Sequence, residues 1–259
     1  MTVARRLPVS GSLNAGKAAT LANMGAELDR VRTEVWARFC GVKTAHLSKR
    51  QIRDRLMAEG APAGFGVPQR LWRATVEDTV DKIRAFQQSV IATEVRPKVY
   101  GRAGKDKAER KRLLVLAKGG RWREDSWLSR HIREAFAGKT PRPRASGLIV
   151  ADNCSYDVAR DKKDRVWLAV MTTIQGERLR LNLGRLPEKM VPTSTIQIRP
   201  DGLGGWQVIA AYPAARVSSI RPQQPNPTSV EGIDAGVSEV FTDTRGRRYR
   251  AGQYCRPIL

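Results

Sequence analysis

Cysteine and histidine are scarce in this chain. Three cysteines, Cys40, Cys154 and Cys255, lie far apart among 259 residues, and the two histidines are His46 and His131. An odd, scattered set of cysteines fits a reducing compartment and supplies neither a disulfide framework nor a CxxC metal pair. Two isolated histidines without Cys or His neighbours suggest no zinc site and no Ser-His-Asp or Cys-His arrangement. Long apolar runs are missing too: none approaches the ~20 residues that a membrane span needs. The stretch MTVARRLPVSGSLNAGK has no continuous apolar segment of the kind a secretory signal carries. Carboxylates are the last shortage, with 25 Asp and Glu against 47 Lys and Arg.

What is present starts with the resulting formal net charge of +22. Self-repulsion of that size calls for a polyanion, and nucleic acid is the default because each phosphate contact releases condensed counterions. The bland alternative is a basic composition with no such partner. Anionic lipid fits less well, since no single basic amphipathic helix dominates the chain. A hydrophobic content of 41% is enough for a buried core, and the length allows one large domain or two ordinary ones.

The first half reads as helix. After a strand-like start at 2–8, residues 15–39 place Leu21, Met24, Leu28, Val31, Val35 and Phe39 at steps of three and four, with Asn14 as N-cap and Gly41 just past the end. A short helix is expected from Ser48, carrying Ile52 and Leu56. EGAPAGFGVP marks a loop, and Pro68 suits the first turn of a long helix through Trp72, Val76, Val80, Ile83, Phe86 and Val90. Further helices are expected at 105–118 and 126–136, and KTPRPRASG at 139–147 reads as a linker.

After Gly147 the pattern changes to strands. RVWLAVMTTI and RLRLNLG flank a turn at Gln175–Gly176–Glu177, and Ile196/Ile198 with Trp206/Val208 mark a second hairpin. The proline-rich SIRPQQPNPTS at 219–229 reads as another linker, and the last thirty residues as a strand, a turn and a second strand. No internal repeat is visible.

The stretch 94–144 is the most basic, with sixteen Lys and Arg against six Asp and Glu. Its candidate nucleic-acid contacts are Arg102, Lys105, Arg110, Lys111, Arg121, Trp122, Arg123, Arg142 and Arg144. Arg121–Trp122–Arg123 sets a stacking surface between two cations, suited to a splayed base; the alternative is that Trp122, like Trp127, packs the helical block. GRAGKDK at 101–107 lacks the spacing of a phosphate loop and reads as a basic turn before a helix.

In GIDAGVSEVFTDTRGRRY, residues 232–249, Asp234 ends a hydrophobic strand and Gly236 lets the backbone turn beside it. A carboxylate so placed is where a two-metal phosphoryl-transfer site would hold a Mg²⁺ ligand; an ordinary turn aspartate is the competing reading. Glu239 and Asp243 read as turn and surface residues.

This segment resembles the first motif of the RuvC-like nuclease domain in the transposon-encoded TnpB family and the small type V CRISPR effectors similar to it. The resemblance implies an α+β, multidomain fold: an antiparallel β-barrel-like wedge domain with an inserted helical recognition block, followed by the first β-hairpin of a RuvC-like (RNase H-like) nuclease domain. On this chain the parts would be the first wedge strand at 1–13, the helical block at 14–143, the wedge barrel at 144–220, a linker at 221–229 and the nuclease start at 230–259. It further implies an RNA-guided DNA-targeting protein with a guide RNA and double-stranded target DNA as partners, no membrane, and a location in the prokaryotic cytoplasm or nucleoid. Asp234 would be catalytic and a Mg²⁺ ligand, and Arg5 and Arg6 would face the nucleic-acid groove or form a solvated strand end. The family's other acidic motifs and its cysteine pairs would lie C-terminal to Leu259, so this polypeptide alone is not expected to cut DNA. The alternative is a catalytically silent nucleic-acid-binding protein using the same basic surface.

Overall fold

A computed structural model describes residues 2–9, 13–139, 141 and 143–213, together with the backbone of three short strands at 233–234, 241–243 and 248–249. The chain divides into two units, Met1–Val217 and Ser218–Leu259. The linker expected at 221–229 lies outside the described residues.

The first unit opens with strand β1 (Thr2–Pro8) and then a long helix, α1 (Ala15–Phe39). Asn14 caps this helix by accepting the Lys17 N–H at 2.9 Å, and Leu21, Met24, Leu28, Val31, Val35 and Phe39 are all buried along one face. Helix α2 (Lys49–Ala58) begins with a reciprocal capping box: the Ser48 hydroxyl accepts from the Gln51 N–H, and the Gln51 side chain accepts from the Ser48 N–H. Helix α3 (Gln69–Val90) starts directly behind Pro68.

The chain then continues through a π-helical turn at Ile91–Val95 into α4 (Arg96–Ala103), a helix that the sequence reading did not anticipate. Pro97 has no N–H, and its ring would crowd the Thr93 carbonyl in a regular α-helix. The wider turn, in which the Arg96 N–H reaches the Ile91 carbonyl, admits the proline without ending the helix. Gly104, at φ +51°, breaks α4. Asp106 then caps α5 (Lys107–Lys118) by accepting from the Ala108 and Glu109 N–H groups, so this helix starts two residues later than expected. Asp125 caps α6 (Ser126–Phe136) in the same way through the Leu128 N–H.

Two antiparallel sheets follow. In the first, the strand order is β1, β7 (Trp206–Pro213), β6 (Ile196–Pro200) and β2 (Ile149–Ala151). The second is a meander of β3 (Tyr156–Arg160), β4 (Arg165–Met171) and β5 (Arg178–Arg185). β1 pairs with β7 from Thr2↔Pro213 to Pro8↔Gln207, so the whole helical block is inserted between two strands of one sheet. Both expected hairpins form, with Ile198 opposite Val208 and Leu168 opposite Leu181. The described strands do not close into a barrel, which corrects the barrel-like expectation. Their inner faces instead share one core with each other and with Leu21, Met24 and Leu28 of α1.

α1 and α3 tie this β core to the helices. Val31, Val35 and Phe39 of α1 pack with Trp72, Val76, Val80 and Ile83 of α3 and with Ile52 and Leu56 of α2. A third core lies beyond it, where Val90, Val95 and Val99 meet Leu113, Leu116, Trp122, Leu128 and Ile132. In the second unit, β8 (Ile233–Asp234) pairs antiparallel with β9 (Phe241–Asp243), which pairs with β10 (Arg248–Tyr249).

Candidate nucleic-acid interface

The basic stretch folds into α4, α5 and α6, and its six carboxylates are already engaged. Asp106 caps α5, and Asp125 both caps α6 and pairs with Arg112 at 2.7 Å. Glu94 holds Lys139, Glu109 holds Arg112, Glu124 holds Arg121, and Glu134 lies between Lys98 and Arg130. Of the remaining cations of α4 and α5, Arg96, Arg102, Lys107, Lys111 and Lys118 are exposed and Arg110 is half-buried, and none is in an ion pair among the described residues, which favours phosphate contact.

These cations gather around one aromatic ring. Tyr100 is 38% exposed, and the guanidiniums of Arg96 and Arg110 lie 5.5 Å and 4.7 Å from its ring centroid. Arg96 also donates to the Tyr100 hydroxyl at 3.3 Å. That bond, with the positive fields of Arg96, Arg110 and Lys118, lowers the phenol's pKa. Arg110 is held in place by donating to the Gly104 carbonyl at the break between α4 and α5. Nearby, the Arg102 guanidinium sits 4.7 Å from the centroid of Trp127, whose ring stacks on His131 at 4.1 Å. Planar cations beside partly exposed rings can contact a base and its phosphate together.

The expected contacts are distributed unevenly over this surface. Arg102 and Arg110 belong to it, and Lys105 and Lys111 are exposed beside it with no carboxylate partner among the described residues. Trp122 does not belong. Its side chain is 2% exposed in the third core, so it offers no platform to a base, and the stacking expectation is corrected in favour of packing. Arg123 lies over the buried indole at 5.2 Å and donates to the Lys43 carbonyl at 2.9 Å, and Arg121 pairs with Glu124. Arg5 and Arg6 are neighbours on β1 and so take opposite faces of the sheet; one groove does not receive both. Arg144 is exposed on the segment returning from α6 to β2, and Arg142 lies outside the described residues. Sequence reasoning missed Arg96, Tyr100 and Lys118, although the i, i+4 spacing of Arg96 and Tyr100 was a usable signal.

Asp234 ends β8 in register with Thr242 of β9, so a strand and a returning strand occur where the motif suggested them. The turn at Gly236 and Glu239 lies outside the described residues, as does the side chain of Asp234. Among the described residues no three His, Cys, Asp or Glu side chains come together to hold a metal ion, and one carboxylate does not make a two-metal site. No helix among them is long and apolar enough to cross a membrane. No protein-family model matches this chain, and a search of curated proteins returns no match.

Proposed function

We propose that this chain is the nucleic-acid-holding part of an RNA-guided DNA-targeting protein. In this reading the helical block and the two-sheet unit hold a guide RNA through its backbone and shape, and pairing between guide and target supplies sequence specificity. Asp234 would be the first Mg²⁺ ligand of a RuvC-like nuclease domain, and cleavage would need further acidic ligands beside it. The observation that carries the reading is the order of elements. A first strand pairs with the last strand of a β unit across an inserted helical block, and an antiparallel strand pair opening on Ile233–Asp234 follows. The uncompensated cations of α4 and α5 favour contact with phosphates over readout of a single groove.

Two measurements test it. RNA that co-purifies with the chain from cells is sequenced, and a discrete structured species is expected; a spread of unrelated cellular RNAs would instead make this a general basic binder. In a protein carrying the complete nuclease fold, Asp234→Ala should abolish Mg²⁺-dependent cleavage and leave guide-RNA affinity nearly unchanged. Loss of both together would count against the assignment.

A further inference from the structure

A cavity of about 310 Å³ opens between the end of α3, the end of α5 and the short segment after α1. Gly120, at φ +73°, turns the chain away from α5, and a Cβ added there would lie 3.7 Å from His46 Cα. Segments far apart in sequence therefore meet at this wall.

The most deeply placed residues in the wall are Gln87 and Trp122, which are 6% and 2% exposed. Gln87 is oriented by donating through Nε2 to the Cys40 carbonyl at 3.3 Å. Its Oε1 is left as an acceptor, and the Trp122 indole N–H as a donor, without partners among the described residues. Neither atom is closed off in the core, as the indole N–H groups of Trp36 and Trp72 are, so a ligand in the cavity can touch both. At the rim, His46 and Lys118 are exposed and Arg84 is half-buried. Arg84 donates to the Leu47 carbonyl at 3.2 Å, and neither it nor Lys118 is in an ion pair among the described residues. Lys118 is also one of the cations whose field acts on Tyr100, so the cavity opens beside the α4–α5 surface.

An accessible acceptor and an accessible donor in one cavity call for a ligand that carries both. A single water would meet the same two atoms, but its share of volume, about 30 Å³, is a small part of this space. A phosphodiester group brings acceptors only and would leave Gln87 Oε1 unmet. A nucleobase has a donor and an acceptor next to each other on its pairing edge, and its flat faces suit the apolar Ile91 and the imidazole of His46. Its own phosphate would find Arg84 and Lys118 at the rim. A base already paired in a duplex does not offer that edge.

We propose that this cavity receives one unpaired base of an RNA strand, with the strand's backbone beside Arg84 and Lys118. The choice of occupant rests on the proposed nucleic-acid function but not on how the chain is guided.

Trp122 supplies its own reporter, because an indole N–H gives a separate signal in a nitrogen–proton correlation NMR spectrum. The Trp122→Phe variant identifies that signal among those of the six tryptophans. The isotope-labelled full chain is titrated with each common ribonucleoside monophosphate and with ribose 5-phosphate, which carries the phosphate without a base. At least one nucleotide should shift the Trp122 signal, and ribose 5-phosphate should not. Gln87→Leu should weaken that response about tenfold. His46→Ala, at the exposed rim where the fold does not depend on it, should weaken it severalfold, and Tyr100→Ala should leave it unchanged. An unmoved Trp122 signal, an equal shift with ribose 5-phosphate, or a response that both cavity variants leave intact would overturn the proposal. A short single-stranded RNA should then move the same signal at a concentration at least tenfold lower than the mononucleotide. No such gain would make this a free-nucleotide site and overturn the strand assignment. An equal response to the same RNA annealed to its complement would overturn the requirement for an unpaired base. A silent Trp122 signal would leave the RNA co-purification result untouched, so the two proposals fail separately.

Discussion

Tyr100 and Trp122 show how much one side chain's burial decides. The Tyr100 ring is reachable and flanked by two guanidiniums, whereas the Trp122 ring is enclosed by aliphatic side chains. Tyr100→Ala should reduce affinity for single-stranded RNA about tenfold, because base stacking on an aromatic ring contributes ~1–3 kcal/mol, and should barely move the unfolding midpoint. Trp122→Ala should act on the fold, costing about 3–5 kcal/mol of stability through the cavity it leaves. Fluorescence anisotropy and denaturant unfolding on both variants check the pair; an unaltered RNA affinity for Tyr100→Ala would remove the ring from the interface. Asp161 makes a second residue-scale case. Its carboxylate accepts from the Arg165 and Lys163 N–H groups at 2.9 Å, from Arg165 Nε at 2.7 Å and from the Trp167 indole at 3.1 Å. The Arg165 backbone bond, aided by these others, holds the Asp161 pKa well below the usual carboxylate range. The lowered value stabilises the fold above the unfolded-state pKa of ~3.9, and that stabilisation is lost as the pH falls below it. Asp161→Asn should therefore unfold at a lower temperature than the parent at neutral pH, with the gap narrowing as the pH falls below 4.

At the scale of elements, α1 is held against the segment leading to β2 by two glycines in contact. A Cβ added at Gly25 would lie 2.6 Å from the Gly147 carbonyl oxygen and 2.8 Å from its Cα, both backbone atoms. Gly147 is itself at φ +59°, a conformation that favours glycine. Alanine at an exposed helix interior would stabilise by roughly 1 kcal/mol over glycine. Here Gly25→Ala should lower the unfolding midpoint instead, because the backbone of Gly147 must move, carrying with it the N–H groups that Asp29 accepts. A higher midpoint would mean that α1 and this segment are not in contact. Elements differ in how much of themselves they display in sequence. The α1 stripe, the Ser48 cap and the two long hairpins follow local rules, and the structure contains them with nearly the expected limits. α4 was hidden because a proline ordinarily ends a helix, and only the π-turn before it lets the helix run on. β2, three residues long, and β3, five, are too short to display a period of their own.

For the whole molecule, the charge surplus sets how binding responds to salt. If many phosphates are contacted, the affinity for RNA should fall linearly on logarithmic axes with rising salt, with a slope near −0.7 per neutralised phosphate on a single strand. Binding measured from low to physiological salt should lose orders of magnitude. A nearly flat response would leave a net charge of +22 without a partner. Tertiary pairing within the chain sharpens this expectation, because the carboxylates of the basic stretch already have partners and do little to screen the free cations of α4 and α5.

By itself the sequence determined the helices that start at a cap and keep one apolar face, the two long hairpins, the α+β class and the concentration of positive charge between 94 and 144. All of these depend on residues a few positions apart, where periodicity and capping act. The tertiary structure alone decided that the strands form two sheets around one core, that Trp122 is interior while Tyr100 is accessible, and that Arg5 and Arg6 face opposite ways. It also brought His46, Arg84, Gln87 and Trp122 to the walls of one cavity. These outcomes depend on which surfaces meet across long stretches of chain. Burial and unmet hydrogen bonds are properties of that meeting, and no local pattern encodes them.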